Sequence, residues 1–246
     1  MKNKLFDKFK FKSILAFTLA EVLITLTVIG VLASMTIPAL MQNIQKGDLK
    51  QSLKEAHSIL SNSYTRLKTD NGLLTTDNAL YNYYTSIHAT NPDQFAKDMT
   101  KYMLVQKDCT EGVGAKMRCV DTYGKILSTG QYYTDFFGNP FPTGSMMHYV
   151  GTYQYILSNG MILFFYNESN VNWNRVTVDI NGFKGPNSLG KDAFLFDITT
   201  NNKLMPRSTI WANPTICKTS NTDLAHNSLI GCTNAALYDE KYWDLW

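Results

Sequence analysis

The sequence predicts an α+β protein in which a long N-terminal spine helix packs on an antiparallel β-meander of about four strands. Three observations predict it. Residues 17–41 form an apolar run of 25 residues in which Glu21 is the only charged side chain. Beyond that run the apolar positions recur every three to five residues as far as Leu67, the period of a helix with one buried stripe. From Tyr149 onward, short segments alternating apolar and polar residues are punctuated by turn residues, the period of half-buried strands.

The first element is the apolar run. At about 1.5 Å per residue it makes a helix about 37 Å long, enough to cross a hydrocarbon core of about 30 Å. A basic leader, residues 1–16, precedes it and carries Lys2, Lys4, Lys8, Lys10 and Lys12 against Asp7. Lysines in that position hold the N-terminus in the cytoplasm and place the rest of the chain across the membrane. A cleaved secretory signal fits less well, because its apolar core is only about 7–15 residues and closes on a small-x-small site. Here Ala33-Ser34 lies inside the run. Glu21 is then an anomaly: an ionised group in hydrocarbon costs roughly 2.5–3.5 kcal/mol, so such a residue reads as functional and in need of a partner.

The helix continues as an amphipathic segment. Leu40, Ile44, Leu49, Leu53, Ala56, Leu60, Tyr64 and Leu67 mark its apolar stripe, and Lys50, Lys54, Glu55 and Arg66 its polar side. Pro38 removes an amide and Gly47 adds backbone freedom, so both are expected points of bending or melting. Asn71-Gly72 is a helix C-terminal signal. This divides the chain into the leader 1–16, a membrane helix 17–41, an amphipathic half 42–70 and a head 71–246, with one core for the soluble part.

Within the head, residues 73–133 are irregular and rich in Tyr and Asn. Asn91-Pro92-Asp93 predicts a short helix reaching about Leu104, with Asn as cap and Pro at the first helical position. Strands are expected at Tyr149–Leu157 and Met161–Asn167 around the turn Ser158-Asn159-Gly160. Further strands are expected at Arg175–Ile180, where Val176, Val178 and Ile180 alternate with polar residues, at Ala193–Ile198 and at Lys203–Met205.

Composition limits the function. The chain carries a net charge of +3, and without the leader's five lysines and one acid the remainder is at −1. The basic balance therefore belongs to membrane topology and predicts no nucleic-acid partner. Four cysteines, Cys109, Cys119, Cys217 and Cys232, all lie in the part expected to be exported, where an even count reads as disulfides. Three pairings are open. The local ones, Cys109–Cys119 and Cys217–Cys232, are favoured, each closing a short loop for about 3 kcal/mol. No two cysteines have the close spacing that zinc ligands prefer. His57, His88, His148 and His226 are far apart, and neither HExxH nor a GxSxG elbow is present, so no enzyme is expected.

The most suggestive head segment runs from Asp179 to Asp192. Asp179, Asn181, Asn187 and Asp192 bear oxygen ligands of the kind calcium takes, with glycines for tight turns. Its start resembles an EF-hand loop without the closing Glu. The plainer reading, a polar strand connection using Asx turns, is the favoured one. The string Gly185 to Lys191 also approximates a phosphate-binding motif, but Asp192 stands where Ser or Thr is required and a strand follows where a helix must begin. The aromatic runs Tyr81-Asn82-Tyr83-Tyr84 and Gln131-Tyr132-Tyr133 would serve either as a sticky patch or, more commonly, as packing against the spine helix.

One stretch carries a family resemblance. Ala16-Phe17-Thr18-Leu19-Ala20-Glu21 resembles the processing site of type IV prepilins and pseudopilins, and the likeness extends to about Leu67. In that family the usual residue before the cut is Gly, where this chain has Ala16. The resemblance implies cleavage on the cytoplasmic side before Phe17 by a prepilin peptidase, and N-methylation of the new terminus. It places Glu21 fifth in the mature chain, paired with the amine of a neighbouring subunit, and Pro38 where many members have a helix-loosening proline. It implies a single-pass inner-membrane protein with its head in the periplasm or outside the cell, later assembled with other pilin or pseudopilin subunits on an inner-membrane platform. It also implies that calcium, which some pseudopilins hold near the sheet, suits the 179–192 loop. A membrane-anchored adhesive or ligand-binding protein that never polymerises is the other function class.

Overall fold

The structure, a computed structural model, describes residues 18–72, 84, 93–110, 118–121, 123–136, 138–139, 153–167, 174–199, 203–207 and 232–245. The chain divides into two compact units, residues 1–45 and 46–246.

The helix α1, Leu19–Asp70, contributes to both units. In the first unit it is apolar on every side, and Leu23, Ile24, Leu26, Ile29, Leu32 and Met35 are all exposed. Helical structure runs unbroken through Pro38 and Gly47, so neither expected breaking point ends it. The buried stripe is shorter than the sequence suggests. Leu49, Leu53, Ala56, Leu60, Tyr64 and Leu67 are buried, whereas Leu40 and Ile44, in the first unit, are exposed. The amphipathic segment from Lys46 onward thus belongs to the head's compact unit, a boundary well before residue 71. The C-terminal signal holds: Asn71 closes the helix with its backbone and side-chain N–H groups on the Leu67 carbonyl, and Gly72 donates to Thr69 O at 3.1 Å.

The sheet has six strands, not about four. They are β1 Val105–Asp108, β2 Tyr153–Leu157, β3 Ile162–Asn167, β4 Asn174–Asp179, β5 Ala193–Ile198 and β6 Leu204–Pro206, each antiparallel to the next in chain order. The missed strand is β1. Its sequence, VQKD, does not alternate, and Val105, Gln106 and Lys107 are all exposed, so no hydrophobic period marks it. The preceding helix α2, Gln94–Thr100, is shorter than expected: Asp93 is its cap, and the chain turns at Lys101 toward β1.

Register sorts the side chains onto two faces. Tyr153, Phe165, Val176 and Phe196 stand opposite one another in one row, and Tyr155, Leu163, Val178 and Phe194 in the next. These rows join the α1 leucines, Tyr84 and Phe95 in the main core. The alternate positions Ile162, Phe164, Leu195 and Ala193 form a second core with Val120, Ile126, Tyr133 and Leu189. This is what a two-residue side-chain period requires when both faces of a sheet are covered. The second cover, which contributes Val120, Ile126 and Tyr133, is pinned at its start by Gln154. Its fully buried amide accepts from Cys119 N and Val120 N and donates to Val120 O.

Cys109 and Cys119 form a disulfide, as favoured. Cys232 is also disulfide-bonded; Cys217, its expected partner, lies outside the described residues. The hairpin turn at Ser158-Asn159-Gly160 is present, with Gly160 at φ +88°. A short helix α3, Thr233–Tyr238, and a 3-10 turn, Glu240–Asp244, close the chain.

Candidate functional site

Two regions gather the chemistry. In the first unit, Thr18-Leu-Ala-Glu21 forms a capping box. Glu21 Oε2 accepts from both Thr18 N and Thr18 Oγ1 at 2.8 Å, and Thr18 Oγ1 accepts from Glu21 N at 3.2 Å. The T-x-x-E spacing is the sequence signal of this cap, which the charge of Glu21 and its place in the resemblance do not reveal. The hydroxyls in the apolar run are satisfied within the helix: Thr25 donates to Val22 O, Thr27 to Leu23 O, Ser34 to Val31 O and Thr36 to Leu32 O. A helix that bonds its own polar groups presents a hydrocarbon surface. It is long and apolar enough to cross a membrane. Ala16 and Phe17, the expected processing residues, lie outside the described residues.

In the second unit, the β4–β5 connection brings two carboxylates together. Antiparallel pairing sets Asp179 opposite Ala193, and Ile180 N donates to Asp192 O at 2.8 Å, so Asp179 and Asp192 become neighbours 13 positions apart. Both are fully buried. Asp192 accepts from Asn187 N at 2.7 Å and from Ser188 N at 2.6 Å. Asp179 accepts from Asn181 N at 3.2 Å and from the Tyr133 hydroxyl. Burial, reinforced by the neighbouring Asp192, holds the Asp179 carboxyl well above the usual range. Burial likewise raises Asp192, against the opposing pull of its amide donors from Ser188 and Asn187.

The two amides expected to join them are also here. Asn181 Nδ2 donates to Gly185 O at 3.2 Å, and Asn187 sits at φ +52° with 2 % exposure. The side-chain oxygens of Asn181 and Asn187 are both buried without a hydrogen-bond partner among the described residues. Buried amide oxygens without a partner are costly, because each forfeits its solvation. The same set offers carboxyl and amide oxygens, the hard donors that a divalent cation such as calcium takes. Among the described residues no three His, Cys, Asp or Glu side chains gather for a metal, so amide oxygens have to complete any cation site.

The residues 185–191, which mimic a phosphate loop in sequence, lead into β5 and not into a helix. Tyr133 is the residue that sequence reasoning missed at this site. It precedes Asp179 by 46 positions and only the second cover brings its hydroxyl there. Tyr84 packs in the main core with its hydroxyl on Asp98 at 2.8 Å, while Tyr132 is exposed; Tyr81 and Tyr83 lie outside the described residues. His57 is half-buried, stacked on Phe196 with centroids 5.8 Å apart, and burial lowers its pKa. The other three histidines lie outside the described residues.

Comparison with family models, with curated proteins and with solved structures finds no match.

Proposed function

We propose that this chain is a structural subunit, a minor pilin or pseudopilin, of a type IV pilus-like or type II secretion-like filament in a bacterial envelope. The observation that carries the reading is the first part of α1: an apolar helix exposed on all sides that keeps one carboxylate, Glu21, at its N-terminal end. Helices of this kind stack into a hydrophobic filament core once they leave the membrane. A prepilin peptidase cuts before Phe17 and the freed amine gives Glu21 a cationic partner in a neighbouring subunit. That pairing rewards correct stagger, because an unpaired charge in an apolar core is heavily penalised. The head then decorates or caps the filament.

Mass spectrometry of the mature N-terminus tests this: methylated Phe17 is expected, and an intact Met1 would overturn it in favour of a membrane-anchored adhesive protein. Glu21→Gln separates the two roles of the residue. Glutamine preserves the capping box and removes the charge. The variant is expected to insert in the membrane normally and to fail to enter filaments. Incorporation at the wild-type level would sink the assembly role.

The orphaned oxygens of Asn181 and Asn187 favour a companion reading, in which the Asp179–Asp192 loop holds calcium as a structural brace. Chelator is then expected to lower the melting temperature of the full chain in detergent, and Asp179→Ala to abolish that sensitivity. Indifference to chelator would leave the loop a plain polar connection.

A further inference from the structure

The 3-10 turn Glu240–Asp244 touches the 179–192 loop with one residue and α1 with another. The Tyr242 hydroxyl, buried, donates to Gly190 O at 2.5 Å, two positions before Asp192. Gly190 is shaped for this approach. Its φ is +83°, and a Cβ there would meet the Tyr242 hydroxyl at 3.0 Å and Phe136 at 3.1 Å. Phe136 and Tyr242 meet edge to face at 6.4 Å, and Lys191 lays its ammonium over Phe136 at 5.1 Å. On the other side of the turn, Glu240 pairs with Lys50 of α1. The rest of the segment is anchored to β5: Leu195 N donates to Thr233 Oγ1 at 2.9 Å, and Trp243 packs on Phe194 at 6.1 Å.

We propose that residues 232–245 form a clasp whose docking on the 179–192 loop, through Tyr242 and Gly190, is coupled to cation occupancy of that loop. The proposal rests on the calcium reading above and deepens it. The amides of Asn187 and Ser188, which tether Asp192, lie in the same turn as Gly190. A cation held by Asp179 and Asp192 pins that turn and with it the Gly190 carbonyl that the buried Tyr242 hydroxyl needs. When the loop relaxes, that hydroxyl loses its acceptor, an unfavourable state for a buried donor. The 3-10 turn is then released from the loop while Glu240 still tethers it to Lys50. Coupling of this kind is reciprocal: whatever cation binding adds to clasp docking, the docked clasp adds to cation affinity.

The test uses the full chain in detergent micelles with calcium as the probe. Tyr242→Phe keeps the ring and deletes the hydrogen bond to Gly190. It is expected to weaken calcium binding about fivefold or more, the lower end of typical coupling between sites. In the wild type, hydrogen exchange at residues 240–244 is expected to slow on adding calcium and to speed up with chelator, a readout that needs no variant. Wild-type chain that binds no calcium would overturn both the loop reading and the coupling. Wild-type chain that binds calcium, with unchanged affinity in Tyr242→Phe and calcium-independent exchange at the clasp, would overturn the coupling alone.

Discussion

His57 shows how a single side chain acquires its properties from what it packs against. It lies on the sheet side of α1, flat against Phe196 with an interplanar angle of 10°, and burial makes protonation unfavourable in the folded chain. The unfolded chain takes up that proton near the ordinary histidine value of about 6.5. Stability from this group is therefore complete above that pH and is lost as pH falls below it. The buried carboxyls Asp179 and Asp192 act with the opposite sign: they hold protons in the folded state above the ordinary carboxylate range, so their contribution falls as pH rises. The difference between wild type and His57→Phe, which keeps the stack, isolates the histidine. Melting temperatures measured from pH 7 down to about 5.5 are expected to fall more steeply for wild type than for the variant. Parallel curves would show that His57 titrates as if exposed.

At the scale of elements, α1 carries two surfaces that the hydrophobic period does not distinguish. Leu60 and Ile44 both fit the same stripe, yet Leu60 is fully buried against the sheet and Ile44 is 55 % exposed. Leu60→Ala is expected to destabilise the folded head by about 2–5 kcal/mol, the usual range for a buried leucine that leaves a cavity. Ile44→Ala is expected to leave head stability within about 0.5 kcal/mol, as for surface positions generally. Denaturant unfolding of the full chain in detergent measures both, and equal losses would contradict the burial pattern. The same ambiguity explains β1: a strand with three exposed residues has no period to read, and only its pairing with β2 reveals it.

At the scale of the whole molecule, the second cover is fastened to the sheet at its start by one covalent bond and one buried amide. The Cys109–Cys119 bond ties its start to the end of β1, and Gln154 fastens the next two residues. Replacing both cysteines by serine is expected to lower stability by roughly 3 kcal/mol, the loop-entropy value for a short ring. Because Tyr133 belongs to this cover, the same variant is expected to weaken calcium binding at the 179–192 loop. A thermal melt and a calcium titration of the double variant check both expectations.

Local chemistry was enough to predict the spine helix, its C-terminal stop, the hairpin at Gly160 and most strand positions. Those features depend on residue type and period over a few neighbours. The four oxygen-bearing residues of the loop were legible for the same reason, as a composition along one short stretch. Packing decided the rest. Which part of the helix stripe is buried, where β1 pairs, why Tyr133 meets Asp179 and why the C-terminal clasp reaches Gly190 all depend on contacts between residues far apart in the chain. No period or motif encodes such contacts. They are fixed by the sheet register and by which surfaces the two covers leave free, and these are properties of the folded chain alone.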